Sequence, residues 1–94
     1  MLHVIATVVA KKESIEKVKE IIEGMIEPTR AEKGCVQYDL LQSDENSAVF
    51  VLVERWETSQ DLDAHKSTPR FAQMINQLTP IHESLDIKLL HKVK

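Results

Sequence analysis

The stretch that most limits what this chain can fold into is Val49-Phe50-Val51-Leu52-Val53, inside SAVFVLVERW at residues 47–56. Side chains alternate between the two faces of a strand, so Val49, Val51 and Val53 point one way and Phe50 and Leu52 the other. Both faces are apolar, and such a strand has to be covered on both sides. Residues 2–10, LHVIATVVA, are β-branched and nearly all apolar and make the same demand. A chain of 94 residues buries only about 60–65% of the surface its unfolded form exposes. We therefore expect the chain's own helices on one sheet face and a second copy on the other.

The remaining segments supply those helices. From Ser14 the apolar period changes: Ile15, Val18, Ile22, Met25 and Thr29 step by three or four, with Ile21 and Ile26 widening the stripe. Pro28 should kink or restart the last turn, because it lacks an N–H and crowds the carbonyl four residues back. Gly34 should close the helix as a left-handed cap. CVQYDLLQ, residues 35–42, then forms a hairpin with residues 47–56 through the turn chemistry of Ser43-Asp44-Glu45-Asn46. Thr58 with Asp61, and Thr68 with Pro69, are two helix-start signals. They predict a short helix to about residue 66, and another carrying Phe71, Met74, Ile75 and Leu78 that stops before Pro80. LDIKLLHKV, residues 85–93, reads as the closing strand. The order β-α-β-β-α-β is that of an α+β ferredoxin-like split βαβ domain with a four-stranded antiparallel sheet. Residues 1–94 show no linker or repeat and read as a single domain.

Several function classes drop out. The net charge of -3 gives no basic footprint for nucleic acid. No apolar run approaches the roughly 20 residues of a bilayer span, and the N-terminus reads as a strand, not a signal peptide. Gly24 and Gly34 are the only glycines, so a glycine-rich nucleotide loop is absent. His3, His65, His82 and His91 lack metal-site spacing, so no metal is expected. One cysteine, Cys35, fits a reduced cytoplasmic setting and reads as a small buried hydrophobe.

His65 is the best single candidate for chemistry. It lies three residues after Leu62, near the apolar edge of the short helix, and imidazole exchanges protons near neutral pH. The plainer reading is a half-buried histidine that caps the helix or meets a backbone carbonyl. Trp56 reads as a core or interface anchor that could also line a pocket. Tyr38 and Phe71 read as packing residues or pocket walls. Glu54 is either a rim ion pair or a buried carboxylate, and the ion pair is favoured. His3, His82 and His91 are left as surface or strand residues.

Together EPTRAEKGCVQYDL, FVLVERW and LDAHKSTPRF resemble the antibiotic biosynthesis monooxygenase family over nearly the whole chain and in the same order. The resemblance implies a ferredoxin-like domain that dimerises through its sheets into an α/β-barrel. It also implies a monooxygenase that oxidises a quinol-like aromatic with O2 and needs no metal or flavin. His65 matches the family's recurrent helix histidine and becomes the expected proton acceptor, with Phe71, Met74, Trp56 and Tyr38 around the substrate. Haem-degrading relatives place a tryptophan near the position of His65, and an iron-binding histidine where Met74 and Ile75 stand. Their first-strand asparagine is also absent here, so haem degradation is not expected. Other relatives process a phosphorylated autoinducer-2 signal, a role in which Lys66 would meet phosphate. A non-catalytic dimer that binds a small ligand would present the same sequence.

Overall fold

The two apolar segments become the centre of the sheet in a computed structural model that describes residues 1–94. The chain runs β1 (Leu2–Ala10), a 3-10 turn (Lys12–Ser14), α1 (Ile15–Arg30), β2 (Cys35–Gln42), β3 (Val49–Trp56), α2 (Ser59–Lys66), α3 (Pro69–Leu78) and β4 (His82–Leu90). The strands form one antiparallel sheet in the order β2-β3-β1-β4, the arrangement of a split βαβ domain. All helices lie on one face. Within one chain the sheet is open, so the barrel of the sequence reading would need a second copy.

Strand register sets what the helices cover. Tyr38, Glu54, Val4 and Leu89 form one row across the covered face, Leu40, Leu52, Ala6 and Ile87 the next, and Gln42, Phe50, Val8 and Leu85 the third. Val18, Ile22, Met25 and Thr29 of α1 are buried against this face, as their spacing predicts. Met74 and Leu78 of α3 join them. Arg30 fastens the end of α1 to β2: its Nε donates to the Tyr38 carbonyl at 3.1 Å and its Nη2 to Asp39 at 2.9 Å. No helix is long and apolar enough to cross a membrane.

Four local expectations are corrected. Pro28 does not restart α1, which runs as one helix to Arg30. The carbonyl four residues back belongs to exposed Gly24. Gly34 does adopt a positive φ of 82°, but the helix has already ended with Ala31 as its cap, and Gly34 turns the chain into β2 instead. A Cβ there would run into the Asp61 carboxylate, so the glycine also makes room for the start of α2. β4 begins at His82, three residues earlier than expected, and ends at Leu90. The His82 Nδ1–H donates to the Leu78 carbonyl at 2.8 Å, joining the end of α3 to the new strand. Finally, Cys35 is only half-buried. Burial, with Glu32 adding, pushes its thiol pKa up, away from a reactive thiolate.

Candidate active site

The sequence puts His65 on a helix only eight residues long, so its position depends on what anchors that helix. The Thr58 side chain accepts the Asp61 N–H at 3.1 Å and gives its own proton to Asp61 Oδ2 at 2.9 Å, fixing the first turn. At the other end Thr68 accepts the Phe71 N–H at 3.2 Å and donates to the His65 carbonyl at 2.9 Å. One hydroxyl thereby starts α3 and ties it to α2. Between these anchors His65 turns inward and is 2% exposed.

Its ring sits in an aromatic box. Trp56 lies 4.9 Å from it, centroid to centroid, with Phe71 at 5.2 Å and Tyr38 at 5.7 Å, the last two edge-on. Nδ1 is 2.8 Å from Glu32 Oε1. An ionised carboxylate only accepts, so this contact makes Nδ1 the protonated nitrogen and leaves the lone pair on Nε2. The other oxygen of Glu32 accepts from Arg70 Nη2 at 3.3 Å, which holds the carboxylate in place. Burial lowers the His65 pKa, against the hydrogen bond and charge of Glu32, so the ring is neutral at pH 7. A neutral, oriented imidazole with a free Nε2 can accept a proton.

His65 lines a cavity between the helices and the sheet, with Tyr38, Phe71 and Met74 also in its wall. Trp56 does not line it and stands behind the imidazole. The wall is apolar at 13 of 16 residues, which suits an aromatic ligand better than a sugar phosphate. Ala6, in the centre of β1, is the small residue that leaves the space. The exposed members of the wall are Lys66, Leu85 and Ile87, so the cavity opens between the short helices and edge strand β4. Its volume is about 30 Å³, whereas a cavity of roughly 150 Å³ takes benzene. An aromatic ligand therefore enters only if the wall moves, and half-buried Phe71 and flexible Met74 are the side chains best able to yield.

Two polar residues change the sequence reading. Glu54 is not a rim ion pair. It is 5% exposed on the covered face, it lines the cavity, and its Oε1 accepts the Trp56 indole N–H at 2.9 Å. The strict alternation Phe50, Leu52, Glu54, Trp56 was the signal that could have placed it inward. Glu32, the partner of His65, carried no such signal, because it lies in a turn 33 residues away. The Thr68 hydroxyl is engaged as the cap of α3. No three His, Cys, Asp or Glu side chains gather where they could share a metal ion.

The chain thus combines a split βαβ sheet with a histidine set in an aromatic-walled cavity under short helices. The chain belongs to the antibiotic biosynthesis monooxygenase family, whose profile matches residues 1–77. A Mycobacterium tuberculosis protein named as a putative monooxygenase is 35% identical over 68 residues, covering 72% of this chain and 66% of that protein. The match thus spans just under two thirds of that relative's length. A Bacillus subtilis protein carrying the same description is 28% identical over 71 residues, 76% of this chain and 75% of its own. A solved structure from Pseudomonas aeruginosa superposes with a TM-score of 0.95 at 29% identity, covering 99% of this chain and 94% of that one.

Proposed function

We propose that this chain is a monooxygenase that oxidises a quinol-like aromatic with O2 without metal or flavin. The observation that carries the reading is His65: its Nδ1–H is fixed by Glu32, which leaves Nε2 as the acceptor, and the residue lines an apolar cavity. For a naphthohydroquinone the reaction is quinol plus O2 giving hydroxyquinone plus water, in which the substrate loses four electrons and O2 gains four. His65 takes the proton of one hydroxyl, and the resulting phenolate passes an electron to O2. The radical pair then joins as a carbon–peroxide bond next to the carbonyl. The protein supplies orientation, the proton acceptor and a dry site.

A homodimer belongs to this reading. Ile5 and Val9 of β1, with Val49, Val51 and Val53 of β3, face away from the helices and are only half-buried. A second copy laid on that face would bury them. The cytoplasm is the proposed setting, where a lone thiol such as Cys35 stays reduced. A phosphorylated-signal substrate would find one cation at the mouth, Lys66, since Arg70 is already engaged by Glu32.

The test is oxygen uptake by metal-stripped protein on hydroquinones, naphthohydroquinones and trihydroxybenzenes, with autoxidation subtracted and His65→Ala and His65→Gln alongside. Uptake that both substitutions lower by about 10²- to 10⁴-fold is the expected result. No uptake above background on any of them rejects the oxygenase and leaves a ligand-binding dimer.

A further inference from the structure

Glu54 occupies an expensive place for a carboxylate, 5% exposed in the core. It sits between Tyr38 on β2 and Val4 on β1, in the covered row of the sheet. No cation bonds it, and its one hydrogen bond joins Oε1 to the Trp56 indole. Oε2 has no partner. Yet the only sealed side-chain polar atom without one is Thr29 Oγ1, so Oε2 keeps access to space, and the space that Glu54 lines is the cavity. Burying a lone carboxylate costs several kcal/mol, and a carboxyl so placed keeps its proton instead.

The surrounding charges do not reverse this. Trp56 and, more weakly, Lys66 on α2 favour the ionised form, but burial outweighs them and lifts the Glu54 pKa to about 7. Tyr38 on β2 is held neutral, its pKa pushed far up by burial and then by Glu54 itself. His65 on α2 is neutral as well, and Cys35 and Glu32 add no positive charge. A purely structural role needs only the acceptor that Trp56 uses, and a glutamine would serve it. The unpartnered second oxygen is surplus to that role.

We propose that protonated Glu54 is a second catalytic residue, the proton donor of the cavity, holding an oxygen of the aromatic ligand from the sheet side while His65 meets the ligand from the helix side. The inference rests on the quinol-like reading of the site. In the oxygenation, Glu54 gives its proton to the terminal oxygen of the carbon-bound peroxide. The carbon then loses its C–H proton to the Glu54 carboxylate as the O–O bond breaks and a C=O forms. The departing hydroxide takes the proton held by the His65 imidazolium and leaves as water. Both residues return to their starting states, and no further oxidant or reductant enters.

The experiment uses duroquinone, whose fully methylated ring neither titrates nor alkylates Cys35, with quenching of Trp56 fluorescence as the binding signal. Affinities of the wild type and Glu54→Gln are compared from about pH 5.5 to about pH 8.5, with His65, Lys66 and Tyr38 present in both proteins. Wild-type affinity is expected to weaken about tenfold or more across this range as the donor ionises, while the variant binds with a flat profile. Calorimetry of the wild type in two buffers should show proton uptake on binding at the alkaline end, a readout that does not depend on the variant folding. A flat wild-type profile, the same slope in both proteins, binding without proton uptake, or no binding at any pH overturns the proposal. Oxygen uptake with a flat wild-type profile sinks Glu54 alone. pH-linked binding without oxygen uptake sinks the oxygenase and leaves Glu54 as the ligand's hydrogen-bond donor.

Discussion

Strands β3 and β4 both pair with β1 along nearly its whole length, and both are rich in apolar residues, yet their surroundings are opposite. On β3, Phe50, Leu52, Glu54 and Trp56 are all buried on the covered face. On β4, Leu85, Ile87 and Leu89 point to the same face, and all three are exposed. The row through Ala6 shows the contrast most cleanly: Leu52 on one side is 4% exposed and Ile87 on the other 41%. Position relative to the helices makes the difference. They lie over β2, β3 and β1 and stop short of the β4 edge, and the cavity opens where their cover ends. The covered side holds the polar machinery in place, and the uncovered side is where a ligand would enter.

Truncation at Leu52 and Ile87 gives the largest expected effect and is the one most able to break this comparison. Leu52→Ala should lower stability by about 2–5 kcal/mol through lost burial and the cavity left behind, and Ile87→Ala by less than about 1 kcal/mol. Chemical denaturation measures both. Equal costs would mean that β4 is covered in solution, and a melting temperature that rises with protein concentration would identify a second copy as the cover.

The ionisable groups on the covered side sharpen the comparison through pH. Glu54 has a folded-state pKa of about 7, above its ordinary 4.5, so the folded state holds the proton more tightly than the unfolded one. Its contribution is therefore lost as pH rises through this window, the reverse of a salt-bridged carboxylate, and reaches roughly 2–3 kcal/mol once pH is above about 7. His65 is shifted down from 6.5 and acts in the opposite sense, costing stability as pH falls below that value. Melting curves against pH should show Glu54→Gln gaining on the wild type between about pH 5 and about pH 8. A constant gap would place Glu54 in contact with solvent and remove the contrast with the β4 edge.

Smaller effects test the frame around His65. Gly34→Ala places a side chain at a positive φ and against Asp61, and should cost about 1–3 kcal/mol while loosening the first turn of α2. Hydrogen exchange of α2 amides would show whether the loss is local to that helix or spread through the sheet. Thr29→Val is the smallest change. Thr29 Oγ1 is buried without a hydrogen-bond partner, and the Tyr38 hydroxyl comes close without reaching bonding geometry. An isosteric methyl should leave stability unchanged or raise it by up to about 1 kcal/mol, and a clear loss would reveal a hydrogen bond formed in solution.

Much of the fold was legible because it follows from period and punctuation. The change from alternation to a three-to-four step at Ser14, and the hydroxyl caps at Thr58 and Thr68, located every helix to within a few residues. Where these signals were misread, tertiary context had the final word. α1 runs through Pro28 to Arg30, and β4, with His82 bonded back to the Leu78 carbonyl, begins three residues early. The site was less legible. His65, Tyr38, Phe71 and Met74 were named from the sequence and meet at one cavity, but Glu32 was not named and Glu54 was given the wrong surroundings.

What the sequence determined by itself was the set of elements, their order and the faces they have to bury, because those follow from local backbone chemistry and the spacing of apolar side chains. The tertiary structure decided which carboxylates matter. Whether Glu32 orients an imidazole, or Glu54 keeps its proton, depends on distances between residues far apart in the chain and on how much water remains around them. Neither quantity is written in a local pattern. Both arise only when α1, α2 and the sheet close on one another.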